Sequence, residues 1–402
     1  MNITIEPGLL RGTVTVPASK SMAQRALIAA ALAEGPTLIH LNALNDDIEA
    51  TMHGLTALGA RIDHDPQRGV MSVRGIPKVR RDLNEEIEID CGESGSTLRF
   101  LLPVVCALGV RARFTGRGRL PQRPMSDLTR VLREHGAAID ADALPMHVAG
   151  PIRGGLWALP GNVSSQYITG LLLALPLLFG DSAIRLMTPL QSASYVEMTV
   201  EALRAFGIAA EADPEGWRVP GGQAYRSCGE FRVEGDWSAA AFWHGANALG
   251  SEIDVRGTSL NSAQGDRAVV ELLGRPVIDV ENVPDLAPVL AAVAAALPKR
   301  TVITGAARLR LKESDRLQAT ADMIAALGGR AEVTADGLVI DGGAPLHGGT
   351  VDGCGDHRIV MSAAILATRA AGPVTIAGAE AVSKSYPDFF THFRELGGIA
   401  HG

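Results

Sequence analysis

The chain concentrates its candidate chemistry in short clusters that set cations beside carboxylates and alcohols. The densest is Leu309-Arg310-Leu311-Lys312-Glu313-Ser314-Asp315-Arg316, in which five of eight residues are charged. It lies between a glycine turn, Thr304-Gly305, and a helical run predicted over Leu317 to Leu327. A helix N-terminus carries partial positive charge and unpaired N–H groups, so it attracts anions. Lys312 and Arg316 strengthen that receptor, and they bias the ionisation of Glu313 between them. An isolated run of this kind also reads as an ordinary solvated first turn.

The same device recurs along the chain. Polar starts occur at Ser19-Lys20-Ser21 with Arg25, at Glu93-Ser94-Gly95-Ser96-Thr97 with Arg99, and at Ser164-Ser165-Gln166-Tyr167. Further copies are Asp236-Trp237-Ser238, Asp285-Leu286-Ala287-Pro288 and Asp356-His357-Arg358. Each gives way to a run that is apolar nearly all round, such as Ala26 to Ala33, Phe100 to Leu108 and Ile359 to Ala367. Helices of that kind are buried, and only their N-terminal ends are wet. If those ends gather, Lys20, Arg25, Arg99, Lys312, Arg316 and Arg358 form a site for a substrate with several negative charges, most simply phosphates and carboxylates. Taken singly, Asp285, Asp356, Ser164 and Ser165 read equally well as N-caps. Likewise Arg99 reads as an organiser of its own loop, and Lys384 as a surface lysine.

The elements that must position these residues form a repeat. A helix-like segment closing on glycine and followed by a strand-like run occurs six times, with the glycines at 59, 136, 207, 274, 328 and 397. Glycine just past a helix fits a left-handed C-terminal cap. A spacing near 70 residues suits a unit of two helices and a few strands. Strand patterns at Leu10–Val16, Val70–Val73, Ala112–Thr115, Glu252–Val255, Thr301–Thr304 and Pro373–Ile376 agree.

Composition narrows the class. The 402 residues allow two or three domains, 47% hydrophobic content fits a globular protein, and a net charge of −7 argues against a broad nucleic-acid surface. Cys91, Cys106, Cys228 and Cys354 make no metal or disulfide spacing and read as thiols in a reducing compartment. Met1–Glu6 reads as a strand, without signal-peptide features, and the longest apolar run, Ile168 to Phe179, is too short for a membrane span. A cytoplasmic monomer that binds no nucleic acid or membrane is expected.

In order along the chain stand Pro17-Ala18-Ser19-Lys20-Ser21 with Arg25, Gly92-Glu93-Ser94-Gly95-Ser96-Thr97-Leu98-Arg99, Gln122-Arg123-Pro124 and Ser164-Ser165-Gln166. Pro284-Asp285, Leu309 to Arg316, Asp356-His357-Arg358 and Lys384-Ser385-Tyr386-Pro387-Asp388 follow. This ordered set resembles the 3-phosphoshikimate 1-carboxyvinyltransferase family of enolpyruvyl transferases over almost the whole chain. The resemblance implies an α/β fold, a two-domain inverse α/β prism of six βαβαββ repeats, three per domain, with the active site in the interdomain cleft. The domains are expected at 1–15 plus 234–402 and at 16–233.

The implied reaction moves the enolpyruvyl group of phosphoenolpyruvate to the 5-hydroxyl of shikimate 3-phosphate, in aromatic amino-acid biosynthesis, with no metal or organic cofactor. By the same resemblance Asp285 is the base at the hydroxyl, and Glu313 with Lys20 handles protons at the phosphoenolpyruvate carbons. Lys20, Gly95, Arg123, Gln166, Arg316, Arg358 and Lys384 would hold phosphoenolpyruvate. Lys20, Ser21, Arg25, Ser164, Ser165, Gln166, Ser192, Asp285 and Lys312 would hold shikimate 3-phosphate, with Tyr195 as a wall. Glyphosate is the implied inhibitor, in competition with phosphoenolpyruvate and sensitive to the residue at Gly95. Two residues depart from the commoner pattern: Glu93 stands where many members have Asn, and Arg308 where some have Asn. A sister enzyme acting on UDP-N-acetylglucosamine shares the fold but usually carries a cysteine in the loop matching Phe114–Pro124, and this loop has none. A non-catalytic anion binder would be expected to lack Lys20, Asp285 or Glu313.

Overall fold

The structure, a computed structural model, describes residues 1–77 and 85–402. It divides into an inserted unit, Ala18–Val233, and a discontinuous unit, Met1–Pro17 with Glu234–Gly402.

The inserted unit contains three copies of one βαβαββ pattern. The helix α1 (Lys20–Leu32) starts where the Ser19 hydroxyl accepts from the Met22 N–H, and its apolar residues Ala26 to Ala31 are fully buried. It leads through the strand Pro36–His40 to α2 (Asp46–Ala57) and the hairpin Arg61–Asp65/Val70–Arg74. The first strand of this copy arrives last in the sequence: Glu230–Arg232 pairs parallel with Pro36–His40, Glu230 opposite Leu38. The second copy runs from Glu86–Asp90 through α3 (Gly95–Leu108), Arg111–Thr115 and α4 (Ser126–Glu134) to the short hairpin Ala138–Ile139/Met146–Ala149. The third runs from Gly155–Leu159 through α5 (Ser165–Ala174), Ser182–Leu186 and α6 (Ala193–Ala205) to Glu211–Asp213/Gly216–Val219. In each sheet the first two strands are parallel, which needs the intervening helix as a crossover, and the last two are antiparallel. α1, α3 and α5 are apolar all round because the unit closes on them; α2 buries one stripe of residues.

The discontinuous unit repeats the plan with one abridgement. Its first copy has the parallel pair Arg11–Thr15/Glu252–Arg256, α7 (Trp237–Ala248) and the single turn α8 (Val269–Leu272), and its sheet stops at two strands. Next come Val277–Asp279, α9 (Ala287–Ala296), Arg300–Thr304, α10 (Arg316–Ala326) and the hairpin Arg330–Val333/Leu338–Asp341. The last copy has Gly349–Asp352, α11 (His357–Ala367), Val374–Ala377 and α12 (Phe389–Glu395). The sheet then takes Ala400–His401 and, from the chain start, Asn2–Ile5, with Ile3 opposite Ile376.

All six repeats are present, and the fourth is short. Its glycine, Gly274, has a positive φ, +76°, as do the glycines at the other five helix ends. Here, though, the strand after the glycine opens the next sheet by pairing parallel with Arg300–Thr304. The cause is in the chain length: 54 residues separate Gly274 from Gly328, against 67 to 77 between the first four glycines, too few for the missing hairpin.

Candidate functional site

In the inserted unit, three hydrogen-bond sets tie together the polar starts of the helices. At the first, Gln24 Nε2 donates to the Asp47 carbonyl at 3.1 Å, to Thr51 Oγ1 at 2.9 Å and to Thr97 Oγ1 at 3.3 Å, and the Thr51 and Thr97 hydroxyls share a hydrogen bond at 2.8 Å. These bonds join the N-terminal ends of α1, α2 and α3. Lys20, the first residue of α1, pairs with Asp47 at 2.9 Å.

The second set surrounds Arg25, which is 1% exposed. Its Nε donates to Thr199 Oγ1 at 2.8 Å and its Nη1 to the Ser21 carbonyl at 2.6 Å. Nη2 donates to the Tyr195 carbonyl at 2.8 Å and to Thr169 Oγ1 at 3.3 Å, and the guanidinium lies 5.0 Å from the Phe100 ring centroid. Among the described residues no carboxylate lies within ion-pair distance of it. Burial therefore lowers the Arg25 pKa to about 9, with Tyr195 opposing.

The third set is built on Arg99. Its Nη1 donates to Gln166 Oε1 at 2.7 Å and its Nη2 to the Pro124 carbonyl at 3.1 Å. Beside it, the Arg123 guanidinium covers Gly95 so closely that a Cβ there would lie 2.6 Å from Nη1. Ser164 caps α5, its hydroxyl accepting from the Gln166 N–H at 3.3 Å, and Ser165 is buried behind it. Ser192 sits at the start of α6 with φ of 58°, a left-handed backbone uncommon outside glycine.

The polar end of the discontinuous unit has a different character. Arg316, the first residue of α10 and 2% exposed, faces three carboxylates. Nε donates to Asp356 Oδ2 at 2.7 Å, Nη1 to Asp285 Oδ1 at 2.8 Å and Nη2 to Glu313 Oε2 at 2.6 Å. Asp285 is shared: Arg358 Nη2 donates to its Oδ2 at 2.8 Å and Lys312 Nζ stands 3.5 Å from Oδ1. Burial opposes ionisation of Asp285, but Arg358, Lys312 and Arg316 outweigh it and hold its pKa well below the usual range. For Arg316 too, burial disfavours the charge, and Asp356, Glu313 and Asp285 more than reverse the effect. Lys384 joins this end by donating from Nζ to the Gly355 carbonyl at 2.8 Å.

Several local readings change. Lys312 and Glu313 are not in the first turn of α10: a 3₁₀ turn over Ala307–Leu311 precedes them, and Asp315 is the cap, accepting from the Gln318 N–H. Asp285 is not a side-chain cap; it lies in the 3₁₀ turn Pro284–Leu286 ahead of α9. Asp356 does cap α11, through the Arg358 N–H, and binds Arg316 as well. Glu93 turns toward Gly118, where a Cβ would lie 2.6 Å from its carboxyl carbon, and Arg308 donates to the Glu281 carbonyl at 2.9 Å.

Two polar-end residues escaped the sequence reading. Asp47, in the first turn of α2, partners Lys20. Asp266 lies in the 3₁₀ turn Gly265–Ala268. It is 4% exposed, accepts a short hydrogen bond from the Ser238 hydroxyl, and its pKa is pushed up to about 6 by burial and by the charge of Asp285. Among the described residues no group of His, Cys, Asp and Glu could hold a metal ion, and no helix is long and apolar enough to cross a membrane.

Buried helices that present N-termini, five arginines and paired carboxylates at one polar end of each unit define an α/β protein built to handle small polyanions. The family described as EPSP synthase (3-phosphoshikimate 1-carboxyvinyltransferase) matches residues 5–277 and 270–393. A 3-phosphoshikimate 1-carboxyvinyltransferase of Clostridium acetobutylicum is 39% identical, over 99% of this chain and 98% of its own length. One of Clostridium novyi is 38% identical with the same coverage. Among solved structures, an EPSP synthase from Acinetobacter baumannii superposes with a TM-score of 0.82 at 27% identity, covering all of both chains. The chain belongs to the EPSP synthase family. That membership sets aside the UDP-N-acetylglucosamine and non-catalytic readings.

Proposed function

We propose that this protein transfers the enolpyruvyl group of phosphoenolpyruvate to the 5-hydroxyl of shikimate 3-phosphate and releases phosphate. The observation that carries the reading is Asp285, an ionised carboxylate held in place by Arg316 and Arg358 and set beside a second carboxylate, Glu313. Addition and elimination need two such groups, one for the hydroxyl proton and one for the methylene carbon.

In the addition step the 5-hydroxyl oxygen bonds to C2 of phosphoenolpyruvate. Asp285 takes the hydroxyl proton, and Glu313 with Lys20 delivers a proton to the methylene carbon, making it a methyl group. In the elimination step that methyl group returns a proton, the C2–O bond to phosphate breaks, and phosphate leaves. Lys20, Arg123, Arg316, Arg358 and Lys384 hold the anionic groups of phosphoenolpyruvate, with the Gly95 backbone and Gln166. Ser21, Arg25, Ser164, Ser165, Gln166, Ser192 and Lys312 hold shikimate 3-phosphate, with Lys20 and Asp285. Arg25 supports the second assignment, since a buried guanidinium partnered only by neutral oxygens gains from a ligand anion.

The resting state of Asp285 is poorly basic because three cations surround it. An anionic ligand that draws Arg316, Arg358 and Lys312 toward itself raises the basicity of Asp285 at the step that needs it. A cytoplasmic monomer remains part of the proposal. Phosphorus NMR of the purified protein with both substrates tests the reaction: free phosphate must appear with a shifted sugar-phosphate signal. An unchanged spectrum refutes it, and size-exclusion chromatography with light scattering tests the monomer.

A further inference from the structure

We propose that Arg99 is a positioning residue that fixes which end of the Gln166 amide meets the ligand. The inference rests on the reading of Gln166 as a substrate contact. A guanidinium has five donors and no acceptor, so the group facing it must be the amide oxygen. Arg99 Nη1 lies 2.7 Å from Gln166 Oε1, which leaves the NH₂ end of the amide on the opposite side. Among the described residues no protein acceptor takes Gln166 Nε2. Gln166 therefore offers donors alone and selects an oxyanion, a carboxylate or phosphate oxygen, over any ligand group that would itself donate.

The setting keeps Arg99 from drifting. It is 3% exposed, its guanidinium lies 5.6 Å from the Tyr167 ring centroid, and its Nη2 holds the Pro124 carbonyl. That carbonyl is also held by the Tyr167 hydroxyl at 2.6 Å, so the Arg123–Pro124 segment keeps an anchor if Arg99 is lost. Gly95 and Arg99 are four residues apart on α3 and share one face, so the same turn seats the Arg123 guanidinium and orients Gln166. Without Arg99 the amide is free to turn over and show its oxygen to the anion, which replaces an attraction by a repulsion.

The test is a double-mutant cycle on Arg99→Met and Gln166→Ala, read as the dissociation constant of phosphoenolpyruvate by calorimetry with shikimate 3-phosphate present, alongside phosphate release. Each single change is expected to weaken binding roughly tenfold, the scale of one charge-assisted hydrogen bond. In the Gln166→Ala background, Arg99→Met should cost less than about twofold more, because its effect runs through the amide. Arg99→Lys, which still only donates, should recover most of the affinity. Tyr167→Phe should lower the melting temperature with little change in binding. If Arg99→Met does not fold, Arg99→Gln, which can donate or accept, takes its place in the cycle. Additive losses overturn the inference while leaving the catalytic reading intact. A wild type that binds no phosphoenolpyruvate overturns both.

Discussion

Arg25 and Arg316 are buried guanidinium groups, each close to the N-terminal end of a helix, and their surroundings are opposite. Arg25 meets hydroxyls and carbonyls, and its proton is held less tightly than usual. Arg316 meets three carboxylates, and its proton is held more tightly. The inserted unit thus keeps a buried cation with no carboxylate partner among the described residues, which is the condition of a binding group. The discontinuous unit neutralises its cation internally, and the cations gathered there hold Asp285 ionised. One repeat plan has produced a buried guanidinium among neutral oxygens in one unit and one shared by three carboxylates in the other.

The sharpest way to break this contrast is to remove both cations. Arg316→Met leaves three carboxylates crowded in a buried site and should destabilise its unit by roughly 3–5 kcal/mol. Arg25→Met should cost far less in chemical denaturation, because no buried charge is orphaned, yet should abolish the stabilisation that shikimate 3-phosphate gives. Equal stability losses would erase the distinction. Next in size, Asp285→Asn and Glu313→Gln should each slow turnover by roughly two orders of magnitude or more while substrate binding changes little. Near-normal turnover in either mutant would make that residue a spectator.

Gly95→Ala probes the inserted unit. Its methyl group forces the Arg123 guanidinium to move, so the protein should fold normally and bind phosphoenolpyruvate and glyphosate less well, glyphosate the more because it is longer. Steady-state inhibition of both forms measures this, and unchanged constants would mean Arg123 yields without consequence.

The smallest effect concerns Asp266. Its folded pKa of about 6 lies above the unfolded value, so the native state binds the extra proton between about pH 4 and 6. Stability is therefore lost as pH rises through that window, by roughly 2–3 kcal/mol once the carboxylate is ionised. Asp266→Asn should raise the melting temperature by a few degrees at pH 8 and hardly at pH 4.5. Asp285 and Asp356 work the other way, since their depressed pKa values add stability that disappears only as pH falls below about 4. A melting temperature of Asp266→Asn that tracks wild type at both pH values would refute the assignment.

The sequence by itself determined the repeat, because helix-closing glycines and period-2 strands are local signals. It even held the abridged fourth copy, in the 54-residue spacing from Gly274 to Gly328. Wet helix starts ahead of buried apolar runs were equally legible, since amphipathic pattern depends only on neighbours along the chain. Partnership was not. That Lys20 takes Asp47, that Arg25 finds Thr169 and Thr199, and that Arg316 gathers Asp285 with Asp356 depends on which helices pack side by side. A charge's ionisation is set by its neighbours in space and by its distance from water. Residue types fixed which groups were available for chemistry, and tertiary packing decided which cations and carboxylates pair and that Asp266 would be buried beside them.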